Sequence, residues 1–178
     1  MPTIFSHAVV AIGIGSVMLP RHSSAAVWGV GVVCSMFPDA DVIGFRFGIG
    51  YGDLLGHRGL THSLLFAALL SIAATFALFA RAPPRHRLQI ALFLFVVTAS
   101  HGVLDAFTNG GLGIAFFAPF DDERFFFPMR PIAVSPIGAA FFSARGLDVL
   151  RSELLWVCLP ALALMAIGLA MRLRVRPR

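Results

Sequence analysis

Two apolar runs joined by a short basic turn restrict this chain to the class of membrane proteins. Residues 60–80 and 88–107 each supply about 20 predominantly apolar residues, which is the length needed to cross the hydrocarbon core of a bilayer. The turn between them, residues 81–87, contains three arginines and two prolines. Because both runs are long and the turn is short, the pair predicts a helical hairpin that crosses the membrane twice.

The composition excludes the main soluble alternatives. Charged residues make up 13% of the 178-residue chain and hydrophobic residues 58%, whereas soluble domains carry roughly 25% charged residues. Disorder is excluded as well, because it requires low hydrophobicity and high charge. Both cysteines, Cys34 and Cys158, lie in apolar runs, so we expect two small buried side chains and no disulfide or metal pair.

Three further apolar runs complete the predicted bundle. Residues 4–19 and 25–37 are short for a membrane span, and residues 154–171 are close to the required length. Residues 109–153 are interrupted by prolines and predict a long loop with short helices, such as one over 132–142. We therefore predict an all-α, polytopic membrane helical bundle of about four to five membrane helices, forming one integral membrane domain over residues 1–178. The predicted helices cover residues 4–19, 25–37, 60–80, 88–108 and 154–171.

The arginines predict an orientation, since positively charged loops stay in the cytoplasm. All 14 basic residues are arginine, and a cytoplasmic 81–87 turn also places the C-terminus inside. The cytoplasmic side then holds eight arginines and no acidic residue, whereas all nine acidic residues lie on the outer side. Acidic residues contribute little to orientation, so their shared side needs another explanation. The basic balance is accounted for by topology, and we expect no nucleic-acid partner.

Seven ionisable residues at the ends of the predicted spans fall on that outer side. Histidine and aspartate together are typical ligands of a catalytic divalent metal such as zinc, with manganese as the alternative. His101 and Asp105 are spaced i, i+4, so both side chains share one helix face. The candidate metal ligands are His7, Asp39, Asp41, His57, His62, His101 and Asp105.

Local sequence around these residues predicts how they are presented. Asp39 and Asp41 follow Pro38, and in an extended segment their carboxylates would point the same way. In the 57–63 segment, Gly59 permits a tight turn and Thr61 is a candidate helix cap. His57 and His62 flank this turn, and they either share one ion or bind one each of two.

Other interpretations of the same residues stay open. A lone histidine in an apolar helix is more often a hydrogen-bonded core residue, and the Asp39–Asp41 pair alone resembles a solvated loop. The convergence of four segments favours a metal site, because ionisable residues inside a membrane are costly and usually functional. A metal or proton transporter would place them near the midplane and show an inverted repeat, and we find no convincing repeat. A regulatory protein with a structural metal is the remaining alternative.

The same motifs resemble a known family. They are an early His7, the Pro38-Asp39-Ala40-Asp41 segment, the 57–63 stretch HRGLTHS and the His101-x-x-x-Asp105 pair with Thr108 following. Together they resemble the YdjM-like family, bacterial inner-membrane proteins described as LexA-regulated, metal-dependent hydrolases. The resemblance covers nearly the whole chain and implies a multi-pass protein of the bacterial inner membrane. The order of ligands is also similar to that of zinc-dependent phospholipase C, which is all-helical and cleaves phosphodiesters.

The leading hypothesis is a membrane-bound, metal-dependent hydrolase. One or two divalent ions would lower the pKa of water that attacks a phosphoester or related bond. A site near the membrane surface suits a lipid or lipid-linked substrate. Asp39 and Asp105 are the candidate catalytic carboxylates, and Arg58 is the candidate stabiliser of negative charge on a phosphoryl oxygen.

The orientation is tested by a topology reporter. Of two reporters fused after Arg178, only the one that is active in the cytoplasm is expected to give a signal. The reason is that eight arginines on one side hold that side in the cytoplasm. A pair of fusions, one to a cytoplasm-active and one to a periplasm-active enzyme, provides the measurement. Activity of the periplasmic reporter alone would invert the predicted topology.

Overall fold

A computed structural model describes residues 1–136 and 138–174 as an assembly of helices. Within these residues there are only two isolated β-bridges and no β-strand, so the all-α prediction is confirmed. The α-helices are α1 (Ile4–Met18), α2 (Ala25–Met36), α3 (Leu64–Phe79), α4 (Pro84–Ala106), α5 (Ala144–Glu153) and α6 (Leu159–Arg174).

Local signals explain where several helices begin and end. Pro84 opens α4 in its first turn, where the missing N–H of proline costs nothing. The Ser63 hydroxyl caps α3 by accepting a hydrogen bond from the Phe66 N–H. Thr61, the cap expected from the sequence, is engaged elsewhere, and the first residues of that predicted helix form a 3₁₀ turn, Leu60–His62. The helix predicted over 60–80 therefore begins only at Leu64.

Two helical segments are longer than the apolar runs suggested. A 3₁₀ helix, Phe37–Phe47, continues directly from α2, and α5 runs through a π-helical segment, Leu154–Cys158, into α6. π-Helical turns of this kind are rare and often lie at functional sites. The residues before 154, which we expected to lie in the loop, thus begin one continuous helical run over 144–174.

The short helix predicted over 132–142 is wrong for the described residues of that range. Only Gly138–Phe141 is helical, as one 3₁₀ turn. Ile132 instead forms a β-bridge with Thr108, and Pro136 lacks the N–H that a helix through this segment would need. Arg176 and Arg178, counted in the predicted cytoplasmic charge, lie outside the described residues.

Among the described residues, three helical runs are long and apolar enough to cross a membrane: 25–47, 84–106 and 144–174. The other two apolar helices, α1 and α3, have 15 and 16 residues. At 1.5 Å per residue they extend about 22–24 Å, which is short of the roughly 30 Å hydrocarbon core. The run at 60–80, predicted to be a full span, is therefore too short, because a 3₁₀ turn replaces its first residues. The run at 25–37, predicted to be short, reaches the length of a span because a 3₁₀ helix extends it.

The core of the bundle lies between α1, α2 and α4. Phe93 of α4 is almost fully buried and packs edge-to-face against Trp28 of α2. Many large apolar side chains of α3 and α6 point outward and are exposed, including Phe76 and Leu169. An outward apolar surface on two helices is what a lipid environment requires.

The parallel helices α1 and α6 approach closely because small residues lie between them. A Cβ added at Gly168 would lie 2.3 Å from the Ser16 carbonyl oxygen, and the Ser16 hydroxyl donates to the Leu164 carbonyl. At the end of α6, the Arg172 guanidinium donates to the Leu19 carbonyl. Close packing of small residues is the usual way for helices to associate in a membrane.

Substituting two glycines with alanine tests this packing. Gly168→Ala is expected to lower the apparent melting temperature in detergent, because the new methyl group would collide with backbone, and overpacking costs about 1–3 kcal/mol. Gly29→Ala in α2 is the matched control, since a Cβ there meets nothing within 4 Å and alanine is the better helix former. Thermal unfolding of both variants gives the comparison. Equal melting temperatures would show that the α1–α6 contact is not tight.

Candidate metal centre

Four buried side chains converge at one end of the bundle. One ligand atom from each of them lies within 4.8 Å of those of the other three. Asp39 comes from the 3₁₀ helix after α2, His62 from the 3₁₀ turn before α3, and His101 and Asp105 from the last turns of α4. We call this group the four-residue centre. Its residues are Asp39, His62, His101 and Asp105.

The ligand atoms of the four-residue centre point at one another. The Nε2 atoms of His62 and His101 are 3.1 Å apart. An Asp39 oxygen lies 3.2 Å from the His101 Nε2 and 3.7 Å from that of His62, and an Asp105 oxygen lies 3.7 Å from the His62 Nε2. Two nitrogens and two carboxylates therefore surround one small volume.

Close approach of the backbone brings His62 to α4. A Cβ added at Gly102 would lie 2.9 Å from the His62 carbonyl oxygen, so any larger residue at that position would push the 3₁₀ turn away. The Leu64 N–H donates to the Phe116 carbonyl, which fixes the start of α3 against the long loop. The glycine next to His101 in the sequence thus makes room for the histidine of another segment.

Hydrogen bonds fix the tautomers of both histidines. The His101 Nδ1 lies 2.7 Å from the Ser35 carbonyl oxygen, which can only accept, so Nδ1 carries the proton. The His62 Nδ1 lies 3.2 Å from a carboxylate oxygen of Asp41 and is likewise the protonated nitrogen. Both Nε2 atoms are therefore available as lone-pair donors that face each other, and either a shared proton or a metal cation between them would satisfy this arrangement. Fixing the ring through its other nitrogen is typical of metal-binding histidines.

The carboxylates of this centre lack ordinary partners. Within the described residues, both oxygens of Asp39 and both of Asp105 are buried without a hydrogen-bond partner. Burying a carboxylate is very costly unless its charge is compensated, and among the described residues the Arg58 Nε, 3.2 Å from an Asp105 oxygen, compensates one of the two. A divalent cation balances the two negative charges and engages the lone pairs. The donor set of two imidazoles and two carboxylates fits Zn²⁺, and Mn²⁺ also accepts such ligands.

Asp41 and His57 form a second group that shares His62 with the four-residue centre. One Asp41 oxygen lies 2.7 Å from the His57 Nδ1. The other accepts a 2.6 Å hydrogen bond from the Thr61 hydroxyl and a 3.3 Å bond from the Arg58 N–H. Because the Asp41 oxygens already have partners, its direct effect is to orient His62.

The 3₁₀ helix explains why the two aspartates differ. We expected an extended segment in which Asp39 and Asp41 point the same way, and this expectation is wrong: both lie in the 3₁₀ helix Phe37–Phe47. Pro38 is tolerated there because it occupies the first turn. At three residues per turn, residues i and i+2 point in directions about 120° apart. The two carboxylates therefore contact opposite edges of the His62 ring.

His57 is enclosed by aromatic rings. Tyr51 packs edge-to-face against it with ring centroids 5.2 Å apart, and Phe45 does so at 6.3 Å. Burial raises the pKa of the Tyr51 hydroxyl, which keeps it neutral. The single tyrosine of the chain was not selected from the sequence, since nothing in its local pattern indicates contact with His57.

His7 of α1 lies at the edge of the four-residue centre. Its ring stacks on that of His101 with centroids 3.7 Å apart and an angle of 13°, and its Nε2 is 3.8 Å from an Asp105 oxygen. Both ring nitrogens are buried and have no hydrogen-bond partner among the described residues. His7 is therefore placed to approach the same ion, although it is not one of the four converging ligands.

Arg58 is buried in the wall of the site and its nitrogens are occupied. Its guanidinium donates to the carbonyls of Gly110 and Leu112 and to the Thr108 hydroxyl, and its Nε lies 3.2 Å from an Asp105 oxygen. The backbone has φ = 68° at this residue, an uncommon conformation away from glycine and asparagine. Arg58 thus connects the loop after α4 to Asp105. Arg130, by contrast, is exposed and lies over the Phe126 ring.

Known proteins resemble this chain over nearly its whole length. The sequence model of the YdjM inner membrane protein family matches residues 1–175. The inner membrane protein YbcI of Escherichia coli strain K12 is 40% identical over 170 residues, which cover 93% of this chain and 95% of that protein. No solved structure matches the chain. The family resemblance carried by the histidine and aspartate motifs is confirmed.

Metal content tests the four-residue centre. Protein purified without chelators is expected to carry about one Zn²⁺ or Mn²⁺ per chain, and Asp105→Asn to lose most of it, because the variant removes a charged ligand. Asp41→Asn is expected to weaken binding about 10–100-fold through the orientation of His62. Elemental analysis after dialysis at graded chelator concentrations gives both values.

The control is Asp148→Asn, which removes an exposed carboxylate paired with Arg151 on α5. It is expected to leave the metal content unchanged. If Asp105→Asn and Asp148→Asn retain the same amount of metal, the centre does not bind the ion.

Proposed function

Because this chain belongs to the YdjM family of inner membrane proteins, we propose that it is a membrane-bound, metal-dependent hydrolase acting on a phosphoester or related bond of a lipid or lipid-linked substrate. The observation that carries the proposal is the four-residue centre, in which two imidazole lone pairs and two unpartnered carboxylates are buried around one point. Evolution rarely retains such costly groups in an apolar bundle without a function.

Asp39, His62, His101 and Asp105 would hold a divalent ion, which would supply Lewis acidity and lower the pKa of water toward neutral pH. The residues around it have separate tasks. Asp41 accepts from the His62 Nδ1–H and the Ser35 carbonyl from that of His101, so that both rings keep their Nε2 atoms directed inward. One ion suffices for this donor set, with His7 at its edge, and the group of Asp41, His57 and His62 is where a second would bind.

Asp39 is the candidate proton acceptor. It retains 6% exposure, whereas Asp105 and His101 have none, so the Asp39 side is the part of the centre nearest to solvent. Asp105 is held by the Arg58 guanidinium, whose Nε lies 3.2 Å from its carboxylate. We therefore assign Arg58 to positioning Asp105, and a direct contact with a phosphoryl oxygen would require its guanidinium to leave the loop carbonyls.

Aromatic side chains around Asp39 support a lipid substrate. Phe37 and Phe47 lie on the same 3₁₀ helix and are 46% and 79% exposed. Amphipathic and aromatic side chains at the end of a membrane bundle are typical of the lipid–water interface. A substrate whose headgroup reaches Asp39 would rest its apolar portion against these rings. The orientation that we predict puts this end on the outer face of the membrane.

A structural metal is the second candidate function, and the burial of the centre favours it. Four protein ligands complete the tetrahedral shell of a structural zinc site, whereas catalytic sites keep one position for water or substrate. His101 and Asp105 are fully buried, as expected for a closed site. The two functions differ in whether the loaded protein turns over a substrate.

Hydrolysis in proteoliposomes tests the proposal. Metal-loaded protein is expected to cleave labelled phospholipids or a soluble phosphodiester, and Asp39→Asn to reduce the rate by a factor of about 100 or more, since it removes the proton acceptor. Asp148→Asn serves as the control for charge removal at an exposed site. Release of the labelled product is measured with and without chelator.

Retention of metal without turnover of any substrate in the panel would favour the structural metal. Chelation would then lower the melting temperature without changing any rate. Metal-dependent ion flux across the same vesicles would instead identify a transporter.

A further inference from the structure

A cavity of about 480 Å³ opens at the end of the bundle that lies away from the metal centre. It lies between the α1–α2 turn and the α3–α4 turn. His86, in the first turn of α4, lines it, and His101 of the metal centre follows 15 residues later on the same helix, about 22 Å further along the axis. Its volume falls within the roughly 300–1,000 Å³ range of small-molecule sites.

The walls of the cavity are apolar and its rim is polar. Leu19, Val27 and Ile90 are buried core residues that form part of the wall, together with Phe79. The rim includes His22 and His86, both exposed. A ligand that fits this surface has an apolar part for the wall and a polar part for the rim.

The two turns that border the cavity carry positive charge. The two turns, residues 19–24 and 80–87, and the end of α6 contain no acidic residue. Arg172 reaches the cavity wall, since it donates to the Leu19 carbonyl and lies over the Trp28 ring. The described arginines at this end are Arg21, Arg81, Arg85, Arg87, Arg172 and Arg174.

We propose that this cavity binds an anionic phospholipid, with an acyl chain against its apolar wall and the headgroup phosphate among the arginines of the two turns. A free phosphate would leave the apolar wall uncovered, and a zwitterionic lipid would not neutralise the arginines. Basic pockets between membrane helices are typical sites for anionic lipid headgroups. The proposal concerns a site separate from the metal centre and does not depend on hydrolysis.

Native mass spectrometry of purified full-length protein in a mixed micelle of phosphatidylglycerol and phosphatidylcholine tests the charge requirement. The protein is expected to retain phosphatidylglycerol preferentially. Arg21→Gln/Arg85→Gln is expected to reduce that preference roughly 30-fold, because each of the two arginines near a lipid surface contributes on the order of 1 kcal/mol. Both side chains are exposed, so the variant is expected to fold.

The matched control is Arg46→Gln/Arg145→Gln, which removes two exposed arginines from the other end of the bundle. This variant is expected to keep the preference. Equal retention of both lipids by the unmodified protein, or equal loss in the two double variants, would overturn the proposal.

The apolar wall is tested by filling the cavity. Ser23 lines it, so Ser23→Leu is expected to reduce lipid retention several-fold, whereas Ser23→Ala is not. Thermal stabilisation by phosphatidylglycerol is measured beside that by inorganic phosphate and by glycerol phosphate. Stabilisation by phosphate equal to that by the lipid would identify a free-anion site and overturn the proposal, as would unchanged lipid retention in Ser23→Leu. The Asp105→Asn variant is expected to bind the lipid normally.

Discussion

The architecture of this end of the molecule depends on the electrostatic requirement of two buried carboxylates. Asp39 and Asp105 come from different segments, and neither has a hydrogen-bond donor among the described residues that satisfies its oxygens. Without a cation, mutual repulsion and desolvation would drive the 3₁₀ helix away from α4. With a cation, the same groups bind three segments of chain together. Metal binding at this centre would therefore contribute directly to the free energy of folding of this end.

The burial of these carboxylates explains the contacts of Arg58 beside them. Arg58 is the one full positive charge in contact with Asp105, and it is retained in an uncommon backbone conformation. Its remaining nitrogens bind loop carbonyls, so the long segment after α4 is ordered by the same side chain that balances the site. A lysine could offer only a point charge, whereas the planar guanidinium reaches a carboxylate, a hydroxyl and two carbonyls at once. This multiple contact accounts for a fully buried arginine in an apolar bundle.

Sequence patterns predicted the part of the centre that depends on local periodicity. His101 and Asp105 lie on one face of α4 because helix geometry alone determines it. The separate roles of Asp39 and Asp41 were not predictable, since they depend on a 3₁₀ conformation that a proline and apolar neighbours do not uniquely specify. The contact between His101 and the Ser35 carbonyl could not be predicted either, because the type of a residue does not indicate what its backbone carbonyl binds. The sequence predicts Thr61 as a helix cap because its hydroxyl suits that role, but in the structure this hydroxyl donates to Asp41.

The two ends of the bundle differ in the kind of ionisable side chain that they carry. The middle of the bundle is packed by Phe93, Leu94 and Val97, and it separates an end with carboxylates and histidines from an end with arginines. Over the roughly 20 Å between these ends, the direct Coulomb interaction is weak at the surface, where water and salt screen it. The charges at each end are therefore not compensated by those at the other end, and their counter-charges must lie nearby. The acidic end is suited to a cation small enough to enter a closed group of ligands, and the basic end is suited to an anion that can lie in the membrane interface.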